Sequence, residues 1–182
     1  MNDAIIEDSS INKLKKIIQR SQHCQRNFDL SHRVPEEHIE LLKVAATECP
    51  SKQNVAHYKL HFIEDPALIS KVHELTPVSK AWNQSVQTTN SQVLSNLLVV
   101  FEKFRNITSE DDMFRNTQTE RLYSDKIDCD ESKAVLERDA NVAIGIASGY
   151  LNLTASMLGY RTGCCQCMDK RAIADLLKLD EE

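Results

Sequence analysis

The stretch "CPSKQNVAHYKLHFIED", residues 49 to 65, changes backbone habit three times. Pro50 lacks the N–H that a helix interior needs, so a helix arriving from upstream must end there. Ser51, Lys52, Gln53 and Asn54 then form a short polar turn. Tyr58, Leu60 and Phe62 alternate with Lys59 and His61, the two-residue period of a strand with one apolar face. Asp65 before Pro66 opens another helix, because an acidic cap and a proline in the first turn satisfy or remove orphan donors. Helix, strand, helix within so short a run predicts an α+β chain.

Working outward, Ser9 or Ser10 caps a first helix with Ile11, Leu14 and Ile18 on one face and Ile17 beside them. "RSQHCQRNFDLSHR", residues 20 to 33, reads as irregular or extended. Pro35 fits the first turn of a second helix, with Glu36 and Glu37 at its positive end and Ile39, Leu42 and Ala46 as its buried stripe. After the strand, Leu68, Ile69, Val72 and Leu75 point a third helix inward, and "NLLVVFEKF" reads as a strand covered on both faces. From Ala134 to Leu158 a long helix places Leu136, Ala140, Ala143, Ala147, Leu151, Thr154 and Leu158 at spacings of three and four. Gly145 and Gly149 inside it each cost about 1 kcal/mol against alanine, which suggests close approach of another backbone, from this chain or a second copy. Gly159 ends that helix, "YRTGCCQC" follows as a short strand or loop, and Asp169 caps a last helix.

The expected architecture is a single domain over 1–182, a central mixed or antiparallel sheet flanked by helices, with 103–133 as a polar cap insertion. A net charge of −5 gives no basic field for nucleic acid, and the longest apolar run, "LLVVF", is far too short to cross a membrane. With no basic flank or long apolar stretch at the start, and six cysteines, the expectation is a cytoplasmic protein with free thiols.

Three segments carry chemistry. Arg20, His23 and Arg26 place cationic donors close together after a helix, the chemistry a phosphate monoester needs, although such runs are often solvated surface. Ser51, Gln53 and Asn54 offer a hydroxyl and two amides, which can read the alternating C=O and N–H edge of a heteroaromatic ring or simply make a polar turn. "GCCQCMD" contains Cys164-x-x-Cys167, a redox spacing, and three thiols that could seed zinc; no second cysteine pair or histidine pair completes four ligands. Its small side chains also let a ligand lie against the backbone. No catalytic triad, paired carboxylates, P-loop or dinucleotide fingerprint is present, so any chemistry falls to a bound cofactor.

In this order and spacing, the segments resemble the FMN-dependent nitroreductase family. "QHCQRNF" takes the place of its basic run after the first helix. "RVPEEHIELL" matches its second helix, "PSKQNVAHYKLHF" its turn and strand, and "SMLGYRTGCCQCMD" the end of its long helix and the segment against the flavin. The resemblance implies FMN at the interface of a homodimer, with the long small-residue helix in that interface. It puts Gln22, His23, Cys24 and Arg26 around the phosphate and pyrimidine side, with Arg20 able to help. Ser51, Gln53 and Asn54 would come from the partner's side, with Asn90 and Gln92 as further ring contacts. Cys164, Cys165 and Gln166 would present backbone to the hydride-accepting N5 edge. It further implies NADH or NADPH as donor, a small-molecule acceptor such as a nitroaromatic or quinone, and no obligatory protein acid or base. A flavin-binding or interaction protein keeping the fold without turnover is the alternative, and a thiol or zinc protein a third. The sequence departs from the family pattern at Gln22 and Cys24, which stand for arginine and serine, at Ala56-His57-Tyr58 for Gln-Pro-Trp, and at Gln166 for an acidic residue. It also ends at Glu182, where members continue through a further strand and a tail around the partner, so the expectation is of a member without them.

Overall fold

A computed structural model describes residues 8–22, 24–54, 56–76, 89–103 and 130–179. Five helices and one antiparallel strand pair are described: α1 (Asp8–Ser21), α2 (Glu36–Thr47), β1 (Tyr58–Ile63), α3 (Pro66–Glu74), β2 (Leu98–Lys103), α4 (Asp130–Met157) and α5 (Lys170–Leu177), with a 3₁₀ turn at Lys52–Asn54. The α+β class stands. The cap expected over 103–133 lies outside the described residues, apart from Lys103 and the start of α4.

Local chemistry sets the element ends. Asp65 accepts from the Ala67 N–H at 2.9 Å, and Asp169 from the Ala172 N–H at 3.1 Å, so both carboxylates cap their helices as the sequence implies. At the end of α4, Gly159 takes φ +93°, and the Tyr160 N–H reaches back to the Ala155 carbonyl at 2.9 Å. That left-handed turn is open to glycine and closes the orphan carbonyls.

β1 and β2 pair antiparallel, with Tyr58 opposite Lys103, Leu60 opposite Phe101 and Ile63 opposite Leu98. One face, Leu60, Phe62, Val99 and Phe101, packs on Leu42 and Ala46 of α2 and Leu151 and Ala155 of α4. Next to it Tyr58, Cys49, Ala143 and Ala147 form a second buried group. The alanines of α4 let the Tyr58 ring lie close to the helix, edge-on to Phe101 at 5.5 Å. At the other end α5 brings Ile173 onto Val72 and Val93.

Three expectations need correction. The first helix begins at Asp8, so Ser9 and Ser10 stand inside it and not at its cap. The run Leu98–Phe101 is only half-buried, because the sheet among the described residues has two strands and one well-covered face. The strand considered for "YRTGCCQC" is reduced to a single bridge between Thr162 and Cys24.

The helices also show which faces lack cover. Ile39, Leu42 and Ala46 of α2 are buried as expected. In α1, Ile11, Leu14 and Ile18 are exposed, and the helix meets α4 near its C-terminal end, where the Ser156 hydroxyl donates to the Ile17 carbonyl at 2.8 Å. In α4 the buried face is Ala140, Ala143, Ala147, Leu151 and Ala155; Val142, Tyr150, Leu153 and Met157 look outward with Gly145 and Gly149. A Cβ built at either glycine meets nothing within 4 Å. Dense packing inside the described chain therefore does not account for them.

Candidate functional site

Three loops meet beyond the ends of α1 and α4. Cys24 and Thr162 form a parallel bridge, and the Gln25 N–H donates to the Thr162 carbonyl at 2.8 Å. The approach is close at Gly163, where an added Cβ would lie 2.9 Å from the Gln25 carbonyl oxygen. No side chain fits there without moving the neighbouring backbone. The third loop is fixed by the Asn90 N–H donating to the Thr76 carbonyl at 3.1 Å, and the far end of the 160–168 loop by the Asp169 N–H donating to the Leu75 carbonyl at 2.8 Å.

A chain of side-chain hydrogen bonds runs through this junction. Gln92 donates from Nε2 to the Cys24 sulfur, and its Oε1 accepts from Asn90 Nδ2 at 3.1 Å. The same Asn90 amide lies 2.8 Å from the Cys165 sulfur. Cys24 in turn points its thiol at the Cys164 carbonyl, 3.5 Å away, and Asn152 of α4 donates to the Cys164 sulfur at 3.2 Å. Asn90 and Gln92 are buried, so both amides are engaged with each other and with sulfur. Burial pushes the Cys165 thiol up. Gln22, Cys24, Arg26, Cys164 and Gln166 are exposed at the junction and Arg20 is half-buried. Among the described residues neither arginine makes an ion pair, which leaves two guanidinium forks for an anion. His23 lies outside the described residues.

The Ser51–Asn54 turn sits elsewhere. Asn54 takes a left-handed φ of +57°, which asparagine tolerates, and the Asn54 N–H donates to the Ser51 carbonyl at 3.2 Å. Lys52 reaches the buried Asp139 carboxylate at 2.6 Å, and Arg138 reaches its other oxygen at 3.4 Å. Behind the turn His57 is buried, and its pKa is lowered chiefly by that burial, with the Asp139 charge pulling it up and Lys52 pushing it down. Ser51 is half-buried, Asn54 is exposed, and the Gln53 side chain lies outside the described residues. The turn is tied to position 139 of α4 and the cysteine loop to position 152, about 20 Å apart along the helix. One chain thus presents two groups of the expected site residues and keeps them apart.

The sequence reading missed Asp139 and Asn152. Asp139 is the carboxylate amid the small residues of α4, in "RDANVAIG", and that isolation was the available signal. Among the described residues no group of three or more His, Cys, Asp or Glu could hold a metal, and no helix is long and apolar enough to cross a membrane.

Solved structures share this α+β fold. A nitroreductase-like protein from Streptococcus mutans aligns with a TM-score of 0.66 at 16% identity, over 93% of this chain and 83% of that one. A protein from Staphylococcus epidermidis, assigned as an NAD(P)H:FMN oxidoreductase, aligns with a TM-score of 0.64 at 19% identity, over 93% and 80%. One from Exiguobacterium sibiricum, assigned as a nitroreductase and solved in complex with FMN, gives 0.62 at 18% identity, over 92% and 81%. Among curated proteins none matches the chain. The family model described as the nitroreductase family matches residues 19–182, and the chain belongs to that family.

Proposed function

We propose that this protein is an FMN-dependent oxidoreductase that takes reducing equivalents from NADH or NADPH and passes them to a small acceptor such as a nitroaromatic or a quinone. Family membership supports the flavin chemistry, and one observation supports the place: the junction of the 22–26 and 160–168 loops, where Arg20 and Arg26 make no ion pair among the described residues and Arg26 is exposed. The residues fit the group. Arg20 and Arg26 offer forked donors to a phosphate, and the absence of a side chain at Gly163 lets the loop of Arg26 close onto the 160–168 loop. Bound FMN would supply two-electron hydride chemistry at N5. Arg26 would hold positive charge toward the pyrimidine edge, where reduction gathers negative charge. The 164–166 backbone would bound the N5 edge, and Asn90 and Gln92 would hold that loop through the thiols of Cys165 and Cys24.

The working form is a homodimer. Two site halves about 20 Å apart in one chain support this, since a twofold partner can bring its Ser51–Asn54 turn to the cysteine loop of the first copy. The exposed apolar faces of α1 and α4 support it too. We place the protein in the cytoplasm, where its free cysteines stay reduced.

A visible spectrum with FMN, followed by anaerobic NADH or NADPH, tests the reading. Oxidised-flavin bands near ~370 and ~450 nm that shift on binding and bleach with the nicotinamide support it. Binding without bleaching leaves a flavin-binding protein, and no binding overturns it.

A further inference from the structure

Cys24 and Cys164 stand far apart in sequence and side by side in the fold. Cys24 bridges Thr162 in parallel, so its side chain shares a face with Thr162 and, along an extended run, with Cys164 two residues on. The Cys24 thiol already points at the Cys164 carbonyl, 3.5 Å away. A disulfide spans Cα separations up to about 7 Å, so the two loops must draw together around this bridge for the bond to close. Both thiols are exposed. Each sulfur also receives a side-chain amide N–H, Cys24 from Gln92 and Cys164 from Asn152. Such a donor stabilises the charge a sulfur carries as it attacks an oxidant. Cys165 is placed differently: it is half-buried and its thiol is held by Asn90.

We propose that Cys24 and Cys164 form a peroxide-sensitive pair that closes into a disulfide across the two loops. One thiol gives up its proton and the thiolate attacks hydrogen peroxide; the O–O bond breaks, a sulfenic acid forms, and the leaving hydroxide takes up that proton as water. The second thiol then displaces that oxygen as a second water, and the S–S bond forms. The two sulfurs together lose one electron pair, and the peroxide takes it. The bond ties the segment of Arg26 to the segment of Gln166. Its effect on FMN rests on the flavin reading above; its formation does not.

Peptide mapping tests the pair. The protein is treated with hydrogen peroxide, free thiols are blocked with N-ethylmaleimide, and the chain is cut with trypsin. The sequence predicts peptides 21–26 and 162–170 as the carriers of these cysteines. The expected product is these two peptides joined, with fragment ions placing the bond at Cys164. It persists in Cys165→Ser and Cys167→Ser and vanishes in Cys164→Ser. A bond only within 162–170, a linked product surviving Cys164→Ser, or no disulfide at all overturns the proposal. Fragmentation of the wild-type product decides the question even where a variant fails to fold. Mapping with and without FMN reads the bond independently of flavin binding, so either idea can fail alone.

Discussion

Lys52 Nζ lies 2.6 Å from Asp139 Oδ2, joining a lysine with 42% of its side chain exposed to a carboxylate with 6% exposed. The pair fixes the 3₁₀ turn to α4 across a long sequence gap, and Arg138 gives the same carboxylate its second, longer partner. A buried charge that loses its nearest counter-ion is costly, while the exposed end of the pair is screened.

Lys52→Met is therefore expected to destabilise the fold by about 1–3 kcal/mol, read as a lower urea midpoint at unchanged slope. Lys52→Arg keeps most of the stability. An unchanged midpoint in Lys52→Met would mean that Arg138 alone satisfies Asp139.

His57 gives stability a pH dependence. Burial holds its pKa below the usual 6.5, with Asp139 opposing and Lys52 assisting. The unfolded chain then binds the proton more readily than the folded one. Stability from this group is full above about pH 6.5 and falls as pH drops below it, until the folded imidazole titrates as well. His57→Gln should flatten that part of the profile, as measured by urea unfolding between about pH 5 and pH 7. A slope of equal size in the variant assigns it to other groups.

Gly145 and Gly149 lie on the open face of α4. In an isolated chain, changing each to alanine gains about 1 kcal/mol of helix propensity. If a second copy packs there, the added methyls push the helices apart. The double variant G145A/G149A is expected to lose at least tenfold in dimer affinity by sedimentation, about 1.4 kcal/mol. A variant that is more stable and equally dimeric would move the subunit contact off these glycines.

At Gly163 the added Cβ of Gly163→Ala would meet the Gln25 carbonyl at 2.9 Å, a backbone atom with no rotamer to yield. The loops must part, at a cost of roughly 1–3 kcal/mol. Melting temperature should fall and FMN affinity with it. Weaker flavin binding at unchanged stability would mean that the loops part without loss of the fold and that the site shifts with them.

Arg26→Gln removes an exposed guanidinium that has no ion pair among the described residues. FMN affinity should drop about ten- to a hundredfold with little change in stability, and its dependence on salt should weaken. Titration of FMN fluorescence at two ionic strengths reads both.

Much of the fold is carried by local pattern. Pro35, Pro50, Asp65, Gly159 and Asp169 act within one turn of themselves, so their roles as stops and caps follow from covalent geometry and nearby N–H groups. The alternation of Tyr58, Leu60 and Phe62 likewise makes a strand before any partner is known. The resemblance named the loops of the candidate site for the same reason: each is a contiguous run.

Tertiary structure alone decided which side of an apolar pattern is covered and which loops meet. Ile11, Leu14 and Ile18 make the same stripe whether it faces a core or open space, and only the contact of α1 with α4 near Ile17 decides that the stripe stays exposed. Gly145 and Gly149 fit a crowded or an open helix face equally well in sequence. The Lys52–Asp139 pair and the Cys24–Cys164 approach depend on how α4 crosses the chain, a non-local result of packing alanines against Tyr58 and Leu42. Local bonding determines the elements; burial of apolar surface, which is non-directional, selects which of them meet.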